Sequence, residues 1–199
     1  MVCLLTIASS RSADAQSVTI PLNLSLDNLV TVNATLSVDT AVIQAGQLVV
    51  SATASGSVTL NGTTAIIAAQ PFTLTTSATC KAGTGTVTLT TSTLAATLPG
   101  GVEARVAPET VTVSASCGRT PTVNATVSPV SASLSDGTSI STSQISASVS
   151  ARANAILGSA ICAAQNVICT LHSAIAAGLV SAAVDLLNQL LSTLPVAAI

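Results

Sequence analysis

From Ser17 to about Val149 the chain repeats with a period of two. Val18, Ile20, Leu22, Leu24 and Leu26 alternate with mostly polar residues, Asp27-Asn28 interrupts, and Val30, Val32, Ala34, Leu36 and Val38 resume the alternation. Leu48, Val50, Ala52 and Ala54, then Val58 and Leu60, form another such series. Successive side chains of a strand point to opposite faces. The pattern therefore predicts half-buried strands, aliphatic on one face and Thr, Ser or Asn on the other.

Turn chemistry falls between the runs. Asn61-Gly62 separates two apolar-rich segments and suits a two-residue hairpin turn, which needs positive φ at both central positions. Ala45-Gly46 is expected to close a hairpin between Ala41–Gln44 and Gln47–Ala54, and Pro99-Gly100-Gly101 and Asp136-Gly137 mark further reversals. Between these punctuators lie roughly eight to ten strands, mostly antiparallel neighbours, the pattern of a sandwich or curled sheet. Val130, Ala132 and Leu134 before Asp136-Gly137, with Ile140, Ile145, Ala147 and Val149 after it, predict a hairpin rather than a Ser/Thr-rich linker.

Around Ala151 the period changes. Ile156, Leu157, Ala160 and Ile161 suggest a short helix. Leu179, Val180, Ala183, Val184, Leu187, Leu191 and Leu194 recur at three and four as one face of a longer one, which Pro195 ends. Strands first and helices last predict an α+β fold, with a β-rich domain over 16–150 and two or three helices of segment 151–199 packed on the same core. The apolar run from Ala174 to Leu187 is broken by Asp185, Asn188 and Gln189 before twenty residues accumulate, so no transmembrane helix is expected.

Composition narrows the partners. Of 199 residues 49% are hydrophobic but 6% are charged and 1% aromatic, with Phe72 the single Phe and no Trp or Tyr. The core must be built from aliphatic side chains and Thr methyl groups. One Lys and four scattered Arg with a net charge of −2 offer no footprint for nucleic acid or for a polybasic membrane contact.

Residues 1–15 read as the remnant of a signal peptide, the apolar Val2–Ala8 followed by Ala13-Asp14-Ala15 as an A-x-A cleavage signature. A lipid anchor at Cys3 is not expected, because Val2 stands where a small residue is needed. Cleavage leaves Cys80, Cys117, Cys162 and Cys169, an even count that implies disulfides in an exported bacterial chain. By parity Cys80 shares a face with Phe72, Leu74 and Ala78, and Cys117 with Val111, Val113 and Ala115, so a Cys80–Cys117 bridge is economical. Cys162 and Cys169 lie seven residues apart, about 10.5 Å along a helix, beyond the Cα separation of roughly 7 Å that a disulfide tolerates. A local Cys162–Cys169 pair, the expected one, needs a turn at Gln165-Asn166; a continuous helix sends both to Cys80 and Cys117 instead.

Candidate chemistry is sparse. His172 with Asp27, Asp39, Asp136 or Asp185 lacks the G-x-S-x-G elbow of a serine hydrolase. Cys162, Cys169 and His172 depart from the C-x(2–4)-C start of a structural zinc site. Glu103 and Glu109, the only glutamates, lie near a predicted hairpin turn without aromatic sugar platforms. Gly83-Thr84-Gly85 lacks the ending of a phosphate loop and reads as a flexible turn. Sequons at Asn23, Asn33, Asn61 and Asn124 are close to chance in a chain so rich in Ser and Thr. No catalytic residue, metal site or cofactor is expected.

Four short motifs carry a resemblance. Gln44-Ala45-Gly46-Gln47-Leu48-Val49, Thr79-Cys80, Gly158-Ser159-Ala160-Ile161-Cys162-Ala163 and Leu186-Leu187-Asn188-Gln189-Leu190-Leu191 resemble segments of a group of uncharacterised secreted bacterial proteins. Lys81-Ala82-Gly83-Thr84-Gly85 departs from that group, and Cys117 and Cys169 look additional to it. The resemblance implies a secreted β-rich architecture and, if its bridge joins strand to helix, a Cys80–Cys162 pairing. No activity attaches to the group. The expected role is a non-enzymatic structural or interaction protein of the cell envelope or extracellular space. The alternative is a carrier holding a lipid or other apolar ligand between curved sheet and amphipathic helices.

Overall fold

The computed structural model describes residues 19–26, 30–60, 63–129, 131–141, 143–152 and 154–193. The predicted leader over 1–15, the Asn61-Gly62 turn and Val130 lie outside them. β1 (Thr19–Leu26), β2 (Val30–Gln44), β3 (Gln47–Leu60) and β4 (Thr63–Lys81) form an antiparallel meander. Its β2–β3 turn is Ala45-Gly46, with φ of 51° and 73°, as a two-residue hairpin requires.

Beyond β4 the sheet divides. The C-terminal half of β4 pairs with β5 (Thr84–Thr91), and that arm continues through β8 (Thr110–Ser116), β9 (Thr122–Val127) and β12 (Ile145–Ser150). Its N-terminal part meets β6 (Leu94–Thr97) at Ile66, and the second arm continues through β7 (Glu103–Val106), β10 (Ser131–Leu134) and β11 (Ser139–Ser141). Side chains close the fork. Gln70 acts as a surrogate peptide group, its Nε2 donating to the Ala95 carbonyl at 2.6 Å and its Oε1 accepting from the Ala95 N–H at 3.0 Å. The Thr73 N–H donates to Ser92 Oγ while its carbonyl accepts from the Ser92 N–H. Two residues back, Pro71 turns toward the same gap and has no N–H to leave unpaired.

Two bulges keep the aliphatic face continuous where strict alternation fails. In β2 the extra residue is Asp39, and the inward series passes from Leu36 and Val38 to Ala41 and Ile43. In β4, Ala68 and Ala69 stand against one residue of β3, so burial passes from Ala65 and Ile67 to Phe72 and Leu74. Opposite this bulge a Cβ on Gly56 would overlap Asn33 O and lie 2.7 Å from Ala34 Cα, and its φ of +150° suits glycine alone.

α1 (Ala155–Ala176) and α2 (Val180–Thr193) form a helical hairpin against one face of the sheet. Asn154 Oδ1 caps α1, accepting from the Ile156 and Leu157 N–H groups at 3.1 Å. Gly178 at φ +72° ends it, with the Leu179 N–H returning to the Ala174 carbonyl at 2.9 Å. α1 packs on β4, β5, β8 and β9, and α2 on β1, β2 and β3. Leu36, Leu48, Val50, Val87, Ile168, Leu171, Leu187 and Leu190 have no exposed surface between the layers, and Phe72 sits among them at 5%. The fold is α+β, an open curled antiparallel sheet with two C-terminal helices.

Three expectations are corrected. α1 runs straight through Gln165-Asn166, because neither glycine nor proline stands between Gly158 and the helix end. The described residues hold twelve strands, the excess coming from short strands of the second arm. The hairpin across Asp136-Gly137 joins β10 to β11. β12 instead crosses to the other arm, where Ile145, Ala147 and Val149 extend the row begun by Val127, Ala125 and Val123 on β9.

Candidate functional site

The junction of α1 with the first arm is tied at several points. α1 lies across the strands: Gly158 packs near Pro121 at the start of β9, Cys162 bonds to Cys117 beyond β8, Ile168 sits on Gly85 of β5, and Cys169 bonds to Cys80 of β4. The Cα separations are 5.0 Å for Cys80–Cys169 and 4.8 Å for Cys117–Cys162. The expected Cys80–Cys117 and Cys162–Cys169 bridges do not form, nor does the Cys80–Cys162 bridge that the resemblance implied. β5 stands between β4 and β8, and Cys117 lies two residues past Ala115, the residue in row with Cys80, so two strand spacings and that offset put Cys80 and Cys117 about 11–12 Å apart. Two helical turns carry Cys162 to Cys169 on one face over about 10.5 Å. The two spacings nearly match, so each helical cysteine drops onto one strand cysteine.

Gly85 makes this contact possible. A Cβ there would lie 3.0 Å from Gln165 O and from Ile168 Cβ and Cγ2. Gly85, expected within a flexible turn, is thus a strand position beneath the helix; the turn itself is Ala82-Gly83, at φ 48° and 77°. Its parity with Val87 and Leu89 was the signal for an inward place. His172, one turn beyond Cys169, has Nδ1 2.8 Å from the Ala78 carbonyl, a further tie of α1 to β4.

The opposite face of this arm is a lattice of hydroxyls. Strand register aligns Thr75, Thr90 and Thr110; then Ser77, Thr88, Thr112, Thr126 and Ser146; then Thr79, Thr86, Ser114, Asn124 and Ser148; then Lys81, Thr84, Ser116, Thr122 and Ser150. Thr86–Ser114 at 2.9 Å and Thr88–Thr112 and Thr90–Thr110 at 3.4 Å are hydrogen bonded across strands. Such pairs contribute about 0.2–1 kcal/mol each. Lys81 at one corner is the single charged member of these four rows.

Among the described residues the titratable side chains do not converge. Glu103 is exposed and lies 4.0 Å from exposed Arg105. Glu109 is half-buried, its Oε2 accepting from Ser128 Oγ at 2.8 Å. Asp39 accepts from Thr53 Oγ1 at 3.1 Å, and Asp136 Oδ1 accepts from the Thr138 N–H at 2.8 Å in the β10–β11 turn. That bond, with the Thr138 side chain, holds the Asp136 carboxyl below its ordinary range. Asp27 lies outside the described residues. Among the described residues no three His, Cys, Asp or Glu side chains group as metal ligands, and Cys162 and Cys169 spend their sulfurs on disulfides. The sequon residues Asn33 and Asn124 are exposed on strands; the side chains of Asn23 and Asn61 lie outside those described.

α1 is long and apolar enough to cross a membrane by length and composition, yet it is bonded to the sheet at two points. A shallow hollow lined by Ala155, Ile156, Ser159, Ala160 and Ala163 lies on its outer side, where Ile156 is 85% exposed. Comparison with known proteins gives no matching family model, no matching curated protein and no matching solved structure.

Proposed function

We propose that this chain is an exported structural or interaction protein of the bacterial cell envelope or extracellular space, and that the hydroxyl face is its contact surface. Two disulfides spanning 89 and 45 residues of sequence carry the reading. Bridges of this kind persist in oxidising compartments and are rare in the cytosol. The resemblance of four short motifs to segments of secreted bacterial proteins is in keeping with the same compartment. The face behind α1 offers donors and acceptors with almost no charge, which suits a neutral, hydrogen-bonding partner. A carrier of apolar ligand calls for space between sheet and helices, and that layer is filled by the fully buried side chains named above, so the first reading is preferred.

Fractionation of the native host with thiol labelling tests the proposal. The expected result is protein in the envelope or medium with all four cysteines oxidised. Recovery from the cytosol with reduced thiols overturns it. Retention on isolated envelopes should fall in a Thr88→Lys/Thr112→Lys variant whose circular dichroism is unchanged.

A further inference from the structure

The sheet is open, and its three outer edges differ. β1 carries Pro21, and β11 is three residues long. Proline and shortness are two of the ways in which proteins prevent unwanted strand pairing. β12, Ile-Ser-Ala-Ser-Val-Ser, has six residues with no proline, charge or bulge, and among the described residues no strand pairs with its outer side.

Parity fixes what this edge presents. The Ala151 N–H donates inward to the Pro121 carbonyl, so Ile145, Ala147 and Val149 bond to β9. Ser146, Ser148 and Ser150 then turn their N–H and C=O groups outward. The side chains of Ile145, Ala147 and Val149 are half-buried on the helix-covered face, and the three serines are exposed on the hydroxyl face.

We propose that β12 pairs with β12 of a second copy of this chain about a two-fold axis through Ala147, joining two sheets into one. An antiparallel partner must keep aliphatic residues on one face and hydroxyls on the other. The strand meets both demands with itself: Ile145 falls opposite Val149, Ala147 opposite Ala147, and Ser146 opposite Ser148, whose outward backbone groups supply the new hydrogen bonds. A two-fold contact is isologous and closes after two subunits. The aliphatic rows and the hydroxyl lattice then run without interruption across both copies. This goes beyond the function proposed above, which needs no self-association.

Sedimentation equilibrium of the purified, oxidised chain over a range of concentrations tests it. The expected species is a reversible dimer. Ser148→Pro removes an outward N–H and leaves the β9 ladder intact, so it should sediment as a monomer with the parent's circular dichroism. Ser146→Lys, which sets a charge on the edge without a backbone change, should do the same and serves if the proline variant fails to fold. A parent that stays monomeric throughout overturns the proposal. So does a dimer that persists in the folded variants, or a parent that grows into open polymers.

Discussion

Single atoms decide several positions. Thr76 is fully buried between Leu48 and Leu89, and its Oγ1 has no hydrogen-bond partner among the described residues. An orphaned buried hydroxyl costs more than an apolar group of the same shape. Thr76→Val is therefore expected to stabilise the protein by about 1 kcal/mol, read as a rise in the urea midpoint. Gly85→Ala moves the other way. The added methyl meets helix backbone and Ile168 at 3.0 Å, and overpacking of this kind costs about 1–3 kcal/mol; the same urea titration measures it. At Asp136 the Thr138 hydrogen bonds lower the folded pKa. Its contribution to stability is present above the ordinary carboxylate range and lost as pH falls through the folded value. An NMR titration should place the Asp136 carboxyl below a model peptide, and Thr138→Pro, which removes the donating N–H, should bring it back toward the ordinary value.

At the scale of elements, α1 and its two bridges dominate. In the chain-entropy view loops of this length give about 4–5 kcal/mol per bridge, though overlapping loops do not add. Replacing the Cys117–Cys162 pair with serines should lower stability by about 2–5 kcal/mol, measured by chemical denaturation followed by circular dichroism. Non-reducing tryptic mapping checks that each strand cysteine is bonded to a helical one. Cleavage after Lys81, Arg119 and Arg152 should leave one product in which the peptides ending at Lys81 and Arg119 are both joined to the peptide that begins after Arg152. A separate Cys80–Cys117 product would contradict the structure. The elements themselves were largely legible: period two marked the long strands, and the break near Ala151 marked the helices. The connectivity was not. Parity placed Cys80 and Cys117 on one face correctly, but sequence order does not reveal that β5 inserts between their strands. The bulges at Asp39 and Ala68-Ala69 were hidden for a related reason, since a skipped beat in the alternation looks the same as a turn.

For the molecule as a whole the lesson lies in how little charge it uses. Among the described residues Glu103 pairs with Arg105, both exposed and 4.0 Å apart, the kind of contact worth about 0–1 kcal/mol. Stability should accordingly be almost indifferent to salt, with melting by circular dichroism shifting little between dilute buffer and molar sodium chloride; a steep dependence would point to ionic contacts that the fold does not show. The α+β class followed from the order of strands and helices, whereas the division of the sheet beyond β4 depends on Gln70, Pro71 and Ser92 meeting at one gap, which no periodicity announces. The paired bridges have one more consequence. A helix fastened once can still swing about the fastening as a pivot, but two fastenings define a line. α1 can therefore neither rotate over the arm nor slide along it while both sulfur links hold. With one link severed, only packing and the His172–Ala78 contact still oppose a pivot about the link that remains.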